Sequence, residues 1–337
     1  MKKYFLLACA FCVFGVADAA TIQFSSPDKK LQVTVADDGG RPTYRVVCGE
    51  TVFLEQSPLG LLTNIGDFSQ GMTLQESSFS SSPVSGHYEL PTIKRSKVDV
   101  RATKAVCPFY KDGKHIFDVV FHVSDHDVAF KYKMYPQGNT LCCVVKEETT
   151  GFVLPQGTTT FLCPQAGPMG GFARTSPSYE TSYTADGEMG KNGWGNGYTF
   201  PCLFRTGNKG WVLISETGVD SRYCASRLMG KDGGLYTIGF PQEGEYNGNG
   251  TACPGIALPG ETPWRTVTVG QTLAPIVETT IPYDVVEPLY EPSCRYVYGR
   301  GTWSWIIAGD NSMNYDEQKR YVDFAADMGY ESVLVDA

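Results

Sequence analysis

Charge is scarce in this sequence, and positive charge is never clustered. Of its 337 residues only 19% are Asp, Glu, Lys or Arg, and the formal net charge at pH 7 is −8. Because phosphate backbones are bound by clustered Lys and Arg, this pattern argues against a nucleic-acid surface. A spanning helix needs about 20 apolar residues, and no segment after the N-terminus provides them. The sequence therefore predicts neither a nucleic-acid partner nor a membrane span.

Familiar catalytic and metal-binding motifs are missing as well. No Cys-x-x-Cys pair occurs, and the four histidines lack the spacing of a zinc site. His122 and His126 are separated by the turn residues Asp125 and Asp127. The glycine-rich run at 187–197 has no strand before it and no helix after it, so it is interpreted as a surface loop and not as a phosphate loop.

The N-terminus has the pattern of an export signal. Lys2 and Lys3 precede the apolar run 4–16, and the small residues Ala17 and Ala19 frame a cleavage site. We expect residues 1–19 to be a signal peptide and Ala20 to be the mature N-terminus. A lipoprotein at Cys9 is the weaker alternative, since the apolar run continues past that residue. The predicted location is the periplasm or the extracellular medium.

Cysteine usage leaves the redox state open. The sequence has 11 cysteines, and nine remain when Cys9 and Cys12 leave with the signal (11 − 2 = 9). An odd number leaves at least one thiol unpaired. We expect mostly buried thiols that act as small hydrophobic side chains, with one or two disulfides possible.

Turn and strand residues dominate the region from 20 to 290. The chain has 37 Gly, 20 Pro and 19 Tyr. Residues 31–35 alternate in polarity, turn at 37–40 and resume at 44–47; residues 116–123 and 128–134 form a similar pair, and 210–214 follow a turn at 205–209. Sustained helical spacing is absent. The prediction is one large antiparallel β-sandwich domain over residues 20–290.

The pattern changes after Pro292. Residues 304–307 are predicted to form a short buried strand, a helix is predicted from Asn314 to about Met328 with Gly329 as its cap, and residues 332–336 are predicted to form a second strand. Such a β-α-β unit has parallel strands and a right-handed crossover. A complete (β/α)8 barrel takes about 250 residues. Residues 291–337 are therefore interpreted as a linker and the start of a truncated barrel.

Seven motifs, in order along the chain, resemble glycoside hydrolase family 97. They are SPLG (57–60), SYE (178–180), GYTFPCLFR (197–205), GWVLISETGVD (210–220), GRGTWSW (299–305), KRYVDFAA (319–326) and VLVDA (333–337). The resemblance implies an N-terminal β-supersandwich packed against a catalytic (β/α)8 barrel. It also implies an exo-acting α-glucosidase or α-galactosidase, usually with a calcium ion.

The family's catalytic carboxylates sit on later barrel strands, so the resemblance assigns no catalytic residue to this sequence. It implies the N-terminal part of an α-glycosidase acting on terminal α-linked sugars of an oligosaccharide or glycoside, inactive by itself. The alternative is a non-catalytic carbohydrate-binding β-sandwich remnant. Whether such an enzyme retains or inverts the anomeric configuration depends on the carboxylate spacing and stays open.

Six residues are candidates for site roles. The resemblance matches Glu180 to a calcium ligand that the sandwich contributes, and it places Trp303, Trp305 and Asp336 at or near barrel-strand ends, where the family contacts sugar. Arg174 and Asn196 are substrate-binding candidates because they stand in an aromatic-rich stretch; sugars bind to aromatic faces and planar polar side chains. The simpler interpretations are core packing for the tryptophans, a strand-end hydrogen bond for Asp336 and a solvated carboxylate for Glu180.

Overall fold

The computed structural model describes residues 19–90, 93–165, 182–241, 245 and 252–336. They belong to two compact units, Met1–Glu287 and Pro288–Ala337. Each unit is described by itself. None of the helices in the described residues combines the length and the apolar character that crossing a membrane requires.

Strands dominate the first unit. Numbered along the chain, the described strands are β1 (Thr21–Ser25), β2 (Leu31–Asp38), β3 (Arg41–Cys48), β4 (Thr51–Pro58), β5 (Leu61–Thr63), β6 (Thr73–Leu74), β7 (Ser80–Glu89), β8 (Lys97–Lys111), β9 (Lys114–Val123), β10 (Asp127–Met134), β11 (Cys142–Glu148), β12 (Gly151–Val153), β13 (Thr158–Phe161), β14 (Cys202–Thr206), β15 (Trp211–Thr217), β16 (Arg227–Gly230), β17 (Leu235–Gly239), β18 (Gly255–Ala257), β19 (Gly260–Glu261), β20 (Trp264–Gly270), β21 (Gly301–Trp303) and β22 (Ser332–Leu334).

Two large antiparallel sheets form the sandwich. One has the order β1-β2-β3-β4. The other is ten-stranded, with the main order β13-β14-β15-β20-β10-β9-β8-β6, while β19 pairs with β10 and β7 with β8. The smaller sheets β18-β11-β5 and β12-β17-β16 complete this unit. All three predicted strand pairs are observed, so the predicted antiparallel sandwich is confirmed.

Local sequence explains the first hairpin. Leu31, Val33 and Val35 are buried while the residues between them are half-buried, which is the period of two that a sheet with one covered face requires. Gly39 and Gly40 connect β2 to β3 with φ of +57° and +81°. Two positive φ values in a two-residue loop match the twist of the paired strands, and glycine adopts them without steric cost.

The core lies between the two large sheets. Side chains from both sheets meet there, as shown by the ring centroids of Tyr44 and Phe130, 5.1 Å apart, and of Phe24 and Phe121, 5.2 Å apart. The rings of each pair are tilted, an arrangement that aromatic quadrupoles favour. Burial of these inward faces is the main favourable contribution to folding.

A buried ion-pair cluster ties β11, β15 and β20 together. Arg265 on β20 is 1% exposed; its Nε donates to Glu148 Oε1 at 2.8 Å and its Nη2 to Glu148 Oε2 at 2.6 Å. Its Nη1 pairs with Glu216. Tyr223 and Ser226 donate their hydroxyls to Glu148 and Glu216 at 2.9 and 2.6 Å. Burial alone would lower the pKa of Arg265, but the two carboxylates raise it above its usual value.

Two short helices follow β20, in a region where no helix was predicted. They span Ala274–Glu278 and Ile281–Val285. Ile281 is 2% exposed, so the second helix is anchored by its first residue. Each helix has five residues and a proline near its start, where the missing N–H costs nothing. Segments this short are too brief to show a helical period, so no helix could be predicted from the residue pattern.

The second unit contains the predicted parallel β-α-β arrangement. Strands β21 and β22 pair in parallel, with Trp303 opposite Leu334. The helix between them spans Tyr315–Asp327; the side chain of Asn314 accepts the Glu317 N–H at 3.0 Å as its N-cap. Gly329 follows the helix with φ of +64°, a conformation that favours glycine.

The strand predicted at residues 304–307 is wrong. The strand ends at Trp303, and Trp305–Ala308 is a short helix that continues into a 3-10 turn, Gly309–Ser312. Four apolar residues fit either structure by pattern alone. The turn is fixed by the Ser304 and Ser312 hydroxyls, which bond at 2.9 Å.

None of the nine cysteines in the described residues forms a disulfide. Only Cys107, Cys143 and Cys202 are buried as small hydrophobic side chains; four other thiols are half-buried, and Cys142 and Cys294 are exposed, so the expectation of mostly buried thiols holds for three of the nine. Burial raises the pKa of the Cys143 thiol to about 11. Cys142 points to the opposite, exposed side of β11, in agreement with the alternation of neighbours on a strand.

Replacing Arg265 tests the ion-pair cluster. Arg265→Met keeps much of the side-chain length but leaves two carboxylates uncompensated, so we expect the free energy of unfolding to fall by about 3–5 kcal/mol. Urea unfolding followed by fluorescence measures this. Arg222→Met is the matched control, because the Arg222 side chain is 85% exposed and its ion pair with Asp220 lies at the surface. Equal urea midpoints for Arg265→Met and the unchanged protein would show that the cluster contributes nothing.

Candidate functional site

The carboxyl edge of β21 and β22 collects three of the predicted site residues. Parallel strands end at the same edge of a sheet, and polar groups there face the site of α/β barrels. Trp303 is the last residue of β21, Trp305 lies two residues beyond it, and Asp336 lies two residues beyond the end of β22. The structure therefore brings Trp303, Trp305 and Asp336 to one edge of the second unit.

The two tryptophans form a stacked pair. Their ring centroids are 5.8 Å apart with an interplanar angle of 18°. Both side chains are half-buried, so neither is a core residue within the described chain. Trp305 Nε1 donates to Asp310 Oδ1 at 2.9 Å. Such a pair offers an aromatic face, which suits the C–H surface of a sugar.

Trp303 has an unused hydrogen-bond donor. Its Nε1 is buried and has no acceptor among the described residues. A buried donor without a partner costs about 1–3 kcal/mol, so native structures rarely keep one. The observation points to an acceptor outside the described residues, either a ligand oxygen or another part of the protein.

A network of small polar side chains holds this edge in place. Gln318 Nε2, on the long helix, donates to Ser304 Oγ at 2.7 Å and to the Ser312 carbonyl at 2.9 Å. Ser312 Oγ donates to the Gly309 carbonyl at 2.8 Å. The sequence reasoning missed Asp310, Gln318 and this network. No local sequence pattern predicts this network, because its members come from a turn and a helix that only the fold brings together.

Asn196 lies in a second place, on a glycine-rich loop of the sandwich. The loop passes through Gly193, Gly195 and Gly197, which all have positive φ. Asn192 fastens it: its Oδ1 accepts the Gly230 N–H at 3.0 Å, and its Nδ2 donates to the Gly195 carbonyl at 3.1 Å. The surface loop expected at 187–197 is thus tied to β16.

Two aromatic side chains in the stretch 182–197 are exposed. Trp194 is 61% exposed and Tyr183 is 58% exposed. Tyr183 lies beside Phe161, with ring centroids 6.4 Å apart, and Phe161 packs on Trp211 at 5.5 Å. Trp194 on the loop and Tyr183 before it therefore present aromatic faces to solvent, while Asn196 is half-buried; aromatic faces are what carbohydrate surfaces use.

Glu180 and Arg174 lie outside the described residues, as does the predicted signal peptide through residue 18. Within the described part of the chain, no group of three or more His, Cys, Asp or Glu side chains could hold a metal ion. Calcium takes six to eight oxygen ligands.

Comparison with known proteins covers nearly the whole chain. Residues 24–288 match the family described as Glycosyl-hydrolase 97 N-terminal. A probable retaining alpha-galactosidase of Streptomyces bingchenggensis is 31% identical over 317 residues, which are 93% of this chain and 45% of that protein. A retaining alpha-galactosidase of Bacteroides thetaiotaomicron is 23% identical over 364 residues, covering 100% of this chain and 53% of that protein. The chain thus spans about half the length of these curated relatives.

Two solved structures of glycoside-cleaving enzymes are also similar to this chain. A beta-arabinopyranosidase is 52% identical, with a TM-score of 0.87 over 93% of this chain and 50% of that one. A Glycoside Hydrolase Family 97 enzyme from Pseudoalteromonas sp. strain K8, in complex with panose, has a TM-score of 0.71 at 19% identity, over 94% of this chain and 47% of that one. At that identity the second likeness supports the fold alone.

Replacing Asn192 tests how the loop that carries Trp194 and Asn196 is held. Asn192→Ala leaves the buried Gly230 N–H without its acceptor, so we expect a loss of about 1–3 kcal/mol in unfolding free energy. Amide hydrogen exchange should become faster in peptides from 187–198. Asn208→Ala, in an exposed turn of the same unit, is the control. Unchanged exchange and stability in Asn192→Ala would mean that the loop is held by other contacts.

Proposed function

The chain belongs to glycoside hydrolase family 97, and from that premise we propose that the intact protein is an exo-acting glycosidase. We propose that it removes terminal α-galactosyl units or β-L-arabinopyranosyl units from an oligosaccharide or glycoside. The observation that carries this proposal is the 52% identity to a beta-arabinopyranosidase across 93% of the chain. The 31% identity to a probable retaining alpha-galactosidase is a second observation that supports the proposed α-galactosyl substrate.

The two sugars are stereochemically related. A β-L-arabinopyranoside has the same ring hydroxyl arrangement and the same direction of the glycosidic bond as an α-D-galactoside, but it lacks the hydroxymethyl group. One arrangement of polar groups can therefore serve both, and the space near the missing group decides the preference. An α-glucoside differs in the orientation of one ring hydroxyl, and it is the less supported substrate because the panose-bound relative is only 19% identical.

Both curated relatives are named as retaining enzymes. Retention requires two carboxyl groups about 5–5.5 Å apart. One protonates the glycosidic oxygen as the leaving group departs; the other attacks the anomeric carbon, and water then releases the sugar and restores both groups. We assign neither group to the described residues and place both in the part of the relatives that this chain does not span.

Within this chain, we assign sugar contacts to the carboxyl edge of the second unit. The stacked rings of Trp303 and Trp305 provide a face for the sugar's C–H surface. Trp303 Nε1, which has no acceptor among the described residues, is a donor for a sugar hydroxyl. Asp336, at the same edge, is an acceptor. On the sandwich, Asn196 next to the exposed Trp194 is a further contact that we propose, and Arg174 is proposed from its sequence position alone.

Export to the periplasm or the medium is proposed on two observations. The first 19 residues have the pattern of a signal peptide. The Ala20 backbone N also lies 2.8 Å from Asp37 Oδ1, and Asp37 is buried. Cleavage before Ala20 would convert that amide into an ammonium group, and the carboxylate would then accept a stronger, charge-assisted hydrogen bond.

Substrate preference is tested with nitrophenyl glycosides. The intact protein should hydrolyse the α-galactoside and the β-L-arabinopyranoside with kcat/KM at least about tenfold above that for the α-glucoside, because one unpaired buried polar group costs about 1–3 kcal/mol. The 337-residue chain should show no turnover above a mock preparation. A preference for the α-glucoside would reject the proposed substrates. Turnover by the 337-residue chain would reject the placement of the catalytic groups, and sugar binding without turnover by the intact protein would favour a carbohydrate-binding remnant.

Calcium and the role of Glu180 are proposed from the SYE motif. Glu180→Gln keeps the shape of the side chain and removes the charge that a hard cation prefers, so we expect weaker calcium binding in the intact protein. Calorimetric calcium titration measures it. Glu188→Gln is the control, since the Glu188 side chain is 81% exposed and pairs with Lys191. Equal affinities for Glu180→Gln and the unchanged protein would remove Glu180 from the site.

A further inference from the structure

Two carboxylates hold the start of strand β1. The Ala20 N–H donates to Asp37 Oδ1 at 2.8 Å. The next backbone N–H, that of Thr21, donates to Glu76 Oε1 at 2.9 Å. Asp37 lies on β2, and Glu76 begins the 3-10 turn Glu76–Ser78 before β7. The first two residues of the predicted mature chain are thus each bound to an acid through the backbone nitrogen.

Asp37 is a buried carboxylate without a cationic side chain beside it. It is 9% exposed, and its Oδ2 accepts the Leu74 N–H at 3.0 Å. Within the described residues, neither Asp37 nor Glu76 forms an ion pair with a Lys, Arg or His side chain. Removing a carboxylate from water is costly unless a positive charge is placed next to it. The negative charge at this place is therefore balanced by backbone N–H groups alone.

The predicted signal cleavage falls at the same place. Ala19 is exposed, while Ala20 is half-buried and packs against the core. Hydrolysis by a signal peptidase would break the C–N bond between them. Water would supply one oxygen to the new Ala19 carboxylate and two protons to the Ala20 nitrogen, which becomes an ammonium group. An α-amino group is mostly charged at neutral pH, so cleavage would bring a positive charge to the buried acid.

We propose that Asp37, with Glu76 nearby, forms a binding site for a primary ammonium group, and that its ligand is the α-amino group of Ala20 in the exported protein. The nitrogen already lies 2.8 Å from Asp37 Oδ1, and as an ammonium group it gains two further N–H donors. Since neighbouring residues lie about 3.8 Å apart, the Glu76 carboxylate is within about 7 Å of the same nitrogen. A charge-assisted hydrogen bond is roughly twice as strong as a neutral one. The inference rests on the proposed export, because it needs a cut before Ala20.

The site fastens a strand that has few other bonds. In the described part of the chain, β1 pairs only with β2 and forms the edge of its sheet. Its inward side chains Ile22 and Phe24 are buried, and the Phe24 ring lies 5.2 Å from the Phe121 ring of the facing sheet. An ammonium group on Asp37 therefore holds down the strand that covers this part of the core, and a chain that still carries its leader lacks that contact.

Two forms of the intact protein with different N-termini test the site. One form begins at Ala20, after precise removal of a cleavable leader, and the other carries Gly-Ser-Gly before Ala20. The extension moves the amino group away and leaves an ordinary amide at Ala20. We expect amide hydrogen exchange in peptides from 20–25 to become at least about fivefold faster in the extended form, because the charge-assisted contact is lost. Equal exchange in the two forms overturns the proposal.

Variants that remove one carboxylate locate the ammonium group. In Asp37→Asn the extension should change the exchange by at most about twofold, because the charge that distinguishes an ammonium group from an amide is gone. Asp38→Asn is the matched control. Asp38 is the exposed neighbour on β2 and accepts from Gln56 Nε2 at 2.9 Å, so the full effect of the extension should remain. An undiminished effect in Asp37→Asn, or its loss in Asp38→Asn, overturns the assignment to Asp37.

Mass analysis of the exported intact protein identifies the natural occupant of the site. Its N-terminal peptide should begin at Ala20 with an unmodified amino group. Another first residue, or a blocked amino group, overturns the inference while the export itself stands. None of these measurements uses the glycosidase reaction, so failure of the ammonium site leaves the proposed activity untouched. Failure of the proposed activity would likewise leave a measured ammonium site standing.

Discussion

The positive charge of Arg265 is buried inside the sandwich and must be neutralised. The positions of several strands and loops depend on the carboxylates that neutralise it. Arg265 lies on β20, which pairs with β10 and β15 in the middle of the ten-stranded sheet. Glu148 comes from the end of β11 and Glu216 from β15, so the cluster ties two sheets to each other. Tyr223 and Ser226 extend it into the loop before β16. A charge buried this deeply is tolerated only with full pairing, which makes the surrounding backbone geometry strict.

The candidate site residues are held in place by smaller networks of hydrogen-bonded polar side chains. Gln318 joins the Ser304–Ser312 turn to the long helix and thereby fixes the position of Trp305. Asn192 joins the glycine-rich loop to β16 and thereby holds Trp194 near the sandwich. In both places one amide side chain satisfies backbone or hydroxyl groups that would otherwise stay unpaired. The aromatic side chains proposed for sugar binding therefore lie on turns that hydrogen bonds already hold in place. Less conformational entropy is lost when a ligand binds to such turns.

Much of the fold could be predicted because its signals are local. The β2–β3 hairpin follows from alternation and from two glycines at the turn, and the helix at Tyr315–Asp327 follows from its spacing, its Asn314 cap and Gly329. Local signals failed where segments were too short to have a period. Residues 304–307 were expected as a strand and contain a helical turn, and the five-residue helices after β20 were not expected at all. The candidate tryptophans were found through motif resemblance, while Asp310 and Gln318 had no signal.

The sequence by itself determined the strands, the turns and the position of the change to a β-α-β unit, since each depends on residues a few positions apart. It also carried the motifs that identify the family. Only the tertiary structure decided which charges pair: Arg265 and Glu148 are 117 positions apart and meet through strand order alone. Pairing of this kind depends on which groups burial brings within about 3 Å, and no local pattern encodes that distance.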